Sequence, residues 1–335
     1  MPWKGEKDPY KIWLSEIILQ QTRVEQGLNY YNNFIHQYPT IIDLANAEDE
    51  KVFKLWEGLG YYSRCKNLLA TARLIAKNYN GIFPSNYEDI LNLKGVGPYT
   101  AAAIASFAFN LPYAVVDGNV QRVLSRYFAI NTPIDSTDGK KIYQLLANEL
   151  LDKQNPAIYN QAIMDFGATI CKPQLPLCEH CVLNKDCQAY ELKVVKDLPV
   201  KKNSLQRKNR FFHYFVLHYN NGIYIRKRVD KDIWQNLYEF LLIESPIDHD
   251  LTELKSHFWQ SILEHEPVEV FSSPIMKQQL SHVNLLGQFP QIHLKNPISL
   301  SNSFEWVAYD QLKDRAWPKM IQQFLKEKSS LAQLF

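Results

Sequence analysis

The sequence lacks any stretch of about 18 apolar residues, the length that a helix needs to cross a membrane. It also lacks a secretory signal, because charged side chains such as Lys4, Glu6 and Lys7 interrupt its start. We therefore expect a soluble cytoplasmic protein with no membrane partner. With 335 residues, 46% of them hydrophobic, the chain is long enough for two domains with substantial cores.

Net charge is also scarce, since 37 Lys and Arg residues oppose 35 Asp and Glu residues and leave a formal charge of +2. A nucleic-acid-binding protein with this balance must concentrate its basic residues locally. Residues 193–210 do so, with seven basic side chains and one acid, Asp197. The segment is interpreted either as a solvated interdomain linker or as a phosphate contact, and both interpretations stay open.

Cysteine is rare, and its distribution argues against a disulfide framework. Cys65 stands alone, whereas the spacing Cys171-x6-Cys178-x2-Cys181-x5-Cys187 gathers the other four. In a chain that is not secreted, such a cluster indicates a metal site. Zinc is the alternative, but zinc ribbons use two CxxC pairs and this segment has one. We predict a structural [4Fe–4S] cluster held by these four thiolates, with His180 in the loop but not a ligand.

The chain divides into two parts that differ in their pattern of apolar residues. Apolar residues recur at helical spacing across residues 10–190, as in the set Val52, Leu55, Trp56 and Leu59. Beyond residue 210, aromatic and β-branched runs predict strands at 211–219, 223–228, 240–243 and 268–271.

The first two predicted strands flank Asn220-Asn221-Gly222, which is a hairpin signal, and helices are predicted at 251–264 and 319–328. We therefore predict an all-α domain over residues 1–195, a basic linker over 196–209 and an α+β domain over 210–335.

Residues 93–101, Leu-Lys-Gly-Val-Gly-Pro-Tyr-Thr-Ala, carry a glycine-rich turn between two predicted helices. Gly95 and Gly97 would let the backbone approach a ligand, and the N–H groups of the following helix would face an anion. This pattern is typical of a helix-hairpin-helix clamp on DNA phosphate. A plain turn between helices is the alternative that the motif alone leaves open.

Two acidic residues stand in unusual surroundings. Asp117 lies between Val116 and Gly118, which is odd for a surface loop, and there it can act as the N-cap of the next helix. Glu16 falls within an apolar helical run, and a buried glutamate is rare without a partner or a task. The alternative for Glu16 is an exposed position on an amphipathic helix.

Taken together, these stretches resemble the MutY family of adenine DNA glycosylases, in the helix-hairpin-helix superfamily that includes endonuclease III. The matching segments are residues 1–4, 13–22, 58–64, 93–101, 116–122 and 164–168 and the four clustered cysteines. The resemblance implies a multi-domain fold. An all-α helix-hairpin-helix glycosylase domain with an iron–sulfur loop would precede a C-terminal α+β, Nudix-like domain.

For activity, the resemblance implies excision of adenine from A:8-oxoguanine or A:G pairs in double-stranded DNA, by a monomeric bacterial enzyme acting at the nucleoid. Glu16 would supply a proton to the adenine and handle the attacking water, and Asp117 would stabilise the oxocarbenium ion or capture it covalently. Tyr99 and Asn119 would hold these groups or the base by hydrogen bonds.

The resemblance also implies DNA-contacting residues. The opened duplex would be wedged or lined by Gln20, Gln21, Leu59 and Tyr61. In the second domain, Ser281 and His282 match a tip that reads 8-oxoguanine, although Leu280 replaces the Phe of that tip. No Glu-rich pyrophosphatase box occurs there, so we expect no nucleotide hydrolysis.

Two rival interpretations accompany this one. Relatives that also cleave the strand place a Schiff-base lysine where this sequence has Tyr99, so we expect a monofunctional enzyme rather than a bifunctional glycosylase and lyase. A DNA-binding paralogue with impaired catalysis is the second rival, and the presence of both Glu16 and Asp117 argues against it.

Overall fold

The computed structural model describes residues 2–202, 207–245, 267–271, 273–301 and 303–331. The chain forms two compact units, one made of Met1–Asn46 and Lys66–Ser204 and the other of Ala47–Cys65 and Leu205–Phe335. No helix in the described ranges combines the length and the apolar character needed to cross a membrane.

The first unit is helical. In chain order the first seven helices are α1 (Pro9–Leu19), α2 (Val24–Gln37), α3 (Ile41–Ala45), α4 (Asp49–Leu55), α5 (Ser63–Asn78), α6 (Tyr87–Leu91) and α7 (Pro98–Phe109). They are followed by α8 (Gly118–Tyr127), α9 (Thr137–Leu150), α10 (Pro156–Thr169) and α11 (Gln188–Glu191). Of these, α4 belongs to the second unit.

The core of the helical unit is built where α7 packs against α1. Helix α7 contributes small side chains such as Ala101 and Ala105, both fully buried, which allow the two helices to approach closely. Helix α1 fills the interface with Trp13 and Leu14, which have no exposed surface. Helix α10 packs against both α7 and α8, so the starts of α7 and α8 are held in one body.

The second unit is a sheet domain. Its described strands are β1 (Lys208–Tyr219), β2 (Gly222–Lys227), β3 (Tyr238–Glu239), β4 (Leu241–Ser245), β5 (Pro267–Phe271), β6 (Met276–Gln279), β7 (Val283–Gln288), β8 (Gln291–Leu294) and β9 (Phe304–Ala308). A 3-10 turn at Tyr309–Asp314 and helix α12 (Lys319–Leu331) follow the strands.

Strand β1 organises this sheet, because it pairs antiparallel with β2 and β4 and parallel with β7 and β8. The predicted hairpin is confirmed: Tyr219 pairs with Gly222, and Asn220 adopts the left-handed conformation at φ +49°. Buried aromatic rings fill the core, with Phe289 stacked on Phe324 at a centroid distance of 4.4 Å.

Two features of the structure differ from the predictions, and one predicted helix falls outside the described residues. Helix α4 ends at Leu55, so Leu59 lies in a turn rather than on the helix, because Gly58 at φ +95° breaks the helical path. Residues 47–65 cluster with the sheet domain, although the predicted helical domain contains them. The predicted helix at 251–264 lies outside the described residues, and the predicted limits at 195 and 210 stay a prediction.

Candidate active site and cysteine loop

Glu16 and Tyr99 meet across the packed helices α1 and α7. Glu16 lies on α1 between the buried residues Ser15 and Ile17, and is itself partly buried. Tyr99 is the second residue of α7, whose start is set by Pro98. The phenol of Tyr99 donates a hydrogen bond to the carboxyl group of Glu16. The packing of α1 on α7 therefore places this carboxyl group beside a fixed donor.

The surroundings of Glu16 change its acidity. Burial raises the pKa of Glu16 to about 7, and the nearby charge of Asp117 adds to the increase, while the Tyr99 hydrogen bond opposes it. Burial also raises the pKa of Tyr99 well above its usual value, with smaller contributions from Glu16 and Asp117. Glu16 can therefore carry a proton near neutral pH, whereas Tyr99 stays a hydrogen-bond donor.

Asp117 is the N-cap of α8, as one interpretation of the sequence predicted. Its Oδ1 accepts a hydrogen bond of 2.7 Å from the backbone N–H of Val120. Its Oδ2 accepts a hydrogen bond of 2.6 Å from Nδ2 of Asn119. Because its charge also acts on Glu16, the cap lies close enough to serve the site. Four predicted residues, Glu16, Tyr99, Asp117 and Asn119, are thus brought together.

Arg122 was not predicted as a site residue, yet it holds Asn119 in place. Its Nη2 donates to Oδ1 of Asn119 at 2.9 Å and to the carbonyl oxygen of Gly167 at 2.6 Å. Its Nε donates to the carbonyl oxygen of Cys171 at 2.7 Å. This side chain therefore joins the Asp117–Asn119 pair to the start of the cysteine loop. A charge near the middle of a short helix gives no local signal of such a role.

Gly167 lets α10 approach α8 at this point. A Cβ atom on Gly167 would lie 2.8 Å from Cβ of Asn119 and 2.9 Å from its carbonyl oxygen. Real Cβ atoms do not approach other atoms this closely, so the absence of a side chain sets the distance between the two helices. The position of Asn119 therefore depends on a glycine 48 residues away in the sequence.

The four clustered cysteines, Cys171, Cys178, Cys181 and Cys187, line one pocket with an empty volume of about 330 Å³ that includes its opening to solvent. Arg126, which is 3% exposed, lies at its wall and donates to Sγ of Cys171 at 3.5 Å. Its other hydrogen bonds go to the carbonyl oxygens of Lys172, Pro173 and Leu198. One buried guanidinium thus ties the loop to α8.

The cysteine pocket supplies four sulfur donors, the number that a [4Fe–4S] cluster requires. In the described part of the chain, no three His, Cys, Asp or Glu side chains are close enough to hold a single metal ion. The four thiols nevertheless share one pocket. Burial raises the pKa of Cys178 and Cys181, and the neighbouring cysteines raise it further, so these thiols would lose their protons only to a positively charged partner. His180 is exposed.

The glycine-rich turn lies between α6 and α7, as predicted. Gly95 has φ +78°, a left-handed conformation that favours glycine, and a Cβ there would lie 2.8 Å from Cβ of Asn67. Gly97 is the N-cap of α7 and has no side chain to accept from the first-turn N–H groups. These donors suit an anion at the helix start.

The predicted duplex-contacting residues occur in both units. In the helical unit, Gln20 donates to Oγ1 of Thr100 at 3.2 Å, and Gln21 is exposed at φ +55°. In the sheet domain, Tyr61 is 44% exposed, whereas Leu59 is only 7% exposed. Leu59 therefore lies within the protein packing, and its contact with DNA stays a prediction.

Ser281 and His282 form the turn between β6 and β7. The backbone N–H of Leu280 donates to the carbonyl oxygen of Val283 at 2.8 Å, which closes the turn. Oγ of Ser281 lies 3.2 Å from Nδ1 of His282, and His282 is exposed. The two polar side chains therefore stand together at the tip of a hairpin, where a ligand can reach them.

Comparisons with known proteins agree on both units. Residues 14–149 match the family model described as HhH-GPD superfamily base excision DNA repair protein. Residues 213–327 match the family model of the NUDIX domain. These matches confirm the predicted fold class, a helical helix-hairpin-helix glycosylase domain followed by a Nudix-like α+β domain.

Individual relatives extend the comparison over the whole chain. The chain is 33% identical to an adenine DNA glycosylase of Buchnera aphidicola subsp. Schizaphis graminum, over 97% of this chain and 93% of that protein. It is 43% identical to an adenine DNA glycosylase of Homo sapiens, over 56% of this chain and 36% of that protein. A solved structure of a thermostable thymine-DNA glycosylase matches 57% of this chain and 88% of its own, with a TM-score of 0.54 and 34% identity.

The contact between Gly167 and Asn119 can be tested by stability. Gly167→Ala forces α10 away from α8, so we expect the free energy of unfolding to fall by about 1–3 kcal/mol. Gly118→Ala is the matched control, because nothing lies within 4 Å of a Cβ at Gly118. Urea unfolding followed by circular dichroism measures both variants. Equal stability of the two would show that the helices tolerate a wider spacing.

Proposed function

This chain belongs to the adenine DNA glycosylase family, and we propose that it removes adenine paired with 8-oxoguanine or guanine by hydrolysis of the N-glycosidic bond. Family membership makes it a base-excision-repair enzyme that binds DNA. The proposed mechanism rests on one observation. Glu16, whose pKa is raised to about 7, lies near the carboxylate of Asp117, which caps helix α8.

The two carboxyl groups suit the two demands of the reaction. Adenine leaves its sugar readily only after its ring has gained a proton, and Glu16 can supply that proton because burial keeps it partly protonated. As the bond from the sugar C1′ to the base breaks, positive charge develops on the sugar, and the carboxylate of Asp117 stabilises it. Water then adds at C1′ and gives up its proton to Glu16.

Two hydrogen-bonded neighbours support these roles. Asn119 donates to Asp117 at 2.6 Å and is itself held by Arg122 at 2.9 Å, so the carboxylate is fixed before substrate binds. Tyr99 donates to Glu16 and limits the rise of its pKa. A hydroxyl at this position cannot form a Schiff base, which supports a monofunctional enzyme that leaves the strand intact.

Recognition of the opposite base is proposed for the sheet domain. The exposed hairpin tip places the hydroxyl of Ser281 and the imidazole of His282 side by side. 8-Oxoguanine differs from guanine by an N7–H donor and an O8 acceptor, and a serine hydroxyl can pair with either. The adenine itself must leave the base stack to reach Glu16 and Asp117.

Excision assays on duplexes containing A:8-oxoguanine, A:G or A:C test this function. We expect the wild-type protein to release adenine from the first two duplexes, with strand cleavage only after alkali treatment. Glu16→Gln should lower the single-turnover rate by about 10²- to 10⁴-fold, and Asp117→Asn by about 10²- to 10³-fold. Duplex affinity should change by less than roughly threefold, because phosphate contacts dominate it.

A near-normal rate in either variant would contradict its assigned role. Strand cleavage without alkali, or a covalent adduct trapped by borohydride, would favour the bifunctional alternative. No release of adenine by the wild-type protein from any of the three duplexes would favour a paralogue that binds DNA without catalysis.

The pH dependence of excision tests the role of Glu16 separately. A proton donor with a pKa of about 7 is protonated below that value, so the single-turnover rate should fall as the pH rises through about 7. Tyr99→Phe removes the hydrogen bond that lowers this pKa, so the falling limb should move to higher pH. Single-turnover rates of both proteins are measured from acid to alkaline pH. If the substitution leaves the falling limb at the same pH, Tyr99 does not control the pKa of Glu16.

We also propose that the four cysteines hold a [4Fe–4S] cluster with a structural role. Their thiolates line one pocket beside Arg126, and iron would supply the positive charge that the buried sulfurs need. No step of the excision reaction requires it.

Protein purified without oxygen should contain about four irons and four sulfides per chain. Cys178→Ser should lose most of this iron, whereas Cys65→Ala should keep it, because Cys65 is buried outside the pocket. Iron and sulfide analysis of the three proteins is the measurement. Stoichiometric zinc in place of iron would establish the alternative metal site.

A further inference from the structure

Residues 47–65 occur within the helical half of the sequence but belong to the sheet domain. The segment consists of α4, a turn over residues 56–62, and the first residues of α5. It carries Leu59 and Tyr61, which are the residues proposed to meet the opened duplex. The attachment of α4 and this turn to the sheet domain therefore bears on how those two residues are presented.

Glu57 forms the central attachment. Its Oε1 accepts a hydrogen bond of 2.8 Å from the backbone N–H of Trp317, a residue that is 2% exposed. Its Oε2 accepts from Nζ of Lys54 at 2.8 Å, and the same Nζ donates to the carbonyl oxygen of Arg315 at 2.9 Å. Glu57 is mostly buried and directly precedes Gly58, so these bonds fix the base of the turn.

Glu50 forms a second attachment at the start of α4. One of its oxygens accepts from the hydroxyl of Tyr238 at 2.7 Å and from Nζ of Lys227 at 3.3 Å. The other accepts from Nη1 of Arg315 at 3.4 Å. The Tyr238 hydrogen bond and the two cations hold the pKa of Glu50 below its usual value. Both ends of α4 are therefore bound to the same domain.

The turn itself is held in an uncommon conformation. Gly58, Gly60 and Tyr61 all adopt positive φ, at +95°, +77° and +48°. The carbonyl oxygen of Gly60 accepts from Nε1 of Trp56 at 3.1 Å, and the guanidinium of Arg64 lies 5.5 Å from the ring of Tyr61. A left-handed conformation at a tyrosine is unfavourable and persists only when the surroundings hold it. The backbone of Tyr61 is thus fixed in advance, and its side chain is exposed.

We propose that the sheet domain, acting through Glu57, positions the 58–61 turn so that Tyr61 enters the duplex as adenine leaves it. The inference rests on the proposed function, because it takes Tyr61 as a residue that enters DNA. An inserted aromatic ring compensates for lost base stacking, and the insertion costs less conformational entropy if the ring is already in place. The domain proposed to read the opposite base would therefore also carry the residue that opens the pair.

The experiment measures base extrusion without excision. The probe is an A:8-oxoguanine duplex whose target adenosine carries a 2′-fluorine, which resists glycosidic cleavage, next to a 2-aminopurine. Mixing with the full-length protein should give a rise in fluorescence as the adenine leaves the stack. Glu57→Ala should slow this rise by about tenfold or more, because it removes hydrogen bonds to a charged group.

Two matched variants separate positioning from general destabilisation. Glu57→Gln keeps an oxygen that can accept from Trp317 N–H, so its rate should return to within about threefold of wild type. Lys51→Ala changes an exposed residue of the same helix, which forms a surface ion pair with Glu48, and should leave the rate unchanged. Circular dichroism should show the same fold in all three variants.

A double-mutant cycle supplies the decisive comparison. If Glu57 acts through the turn, Glu57→Ala should have little further effect in a Tyr61→Ala protein. If the two substitutions slow extrusion by independent factors that multiply in the double variant, or if Glu57→Ala extrudes adenine at the wild-type rate, the inference is overturned while the proposed function stands. Absence of both extrusion and excision by the wild-type protein would instead reject the proposed function and this inference with it.

Discussion

The candidate site depends on holding two carboxyl groups, Glu16 and Asp117, near each other in partly buried surroundings. Two like charges at short distance in a poorly solvated site are unfavourable, so one of them tends to keep its proton. The surroundings of the two groups differ. Asp117 accepts two short hydrogen bonds from donors on α8, whereas burial raises the pKa of Glu16 to about 7. One fold thereby places a carboxyl group that can carry a proton near neutral pH beside a second carboxyl group fixed by hydrogen bonds.

Helix α8 carries most of this arrangement. Its N-cap is Asp117, its first turn contains Asn119, and its next turns present Arg122 and Arg126 to the cysteine loop. The same short helix therefore connects the proposed catalytic carboxylate to the pocket proposed to hold iron. Gly167 completes the connection, since only a residue without a side chain allows α10 to lie this close. A structural cluster would thus support the site through α8 without taking part in the reaction.

The second unit carries more than the tip proposed to read the opposite base. Because Glu50 and Glu57 bind the 47–65 segment to it, the sheet domain holds the turn that presents Tyr61 as well as the Ser281–His282 tip. Both of these features, which are proposed to contact the duplex, therefore lie in one compact unit, whereas Gln20, Gln21 and the glycine-rich turn lie in the other. This organisation gives a physical reason for the sheet domain to affect base extrusion as well as the choice of pair.

The sequence by itself determined those features that local patterns encode. Helical periodicity, the Asn220–Asn221 hairpin, the capping position of Asp117 and the cysteine spacing each depend on residues that are neighbours in the chain. Glu16 stood out because a carboxylate in an apolar helix costs free energy wherever that helix packs. Only the tertiary structure decided the role of Arg122, the need for Gly167 and the attachment of Glu57 to the sheet domain. Each of these depends on a partner that is between 45 and 260 residues away, brought into contact by packing rather than by sequence pattern.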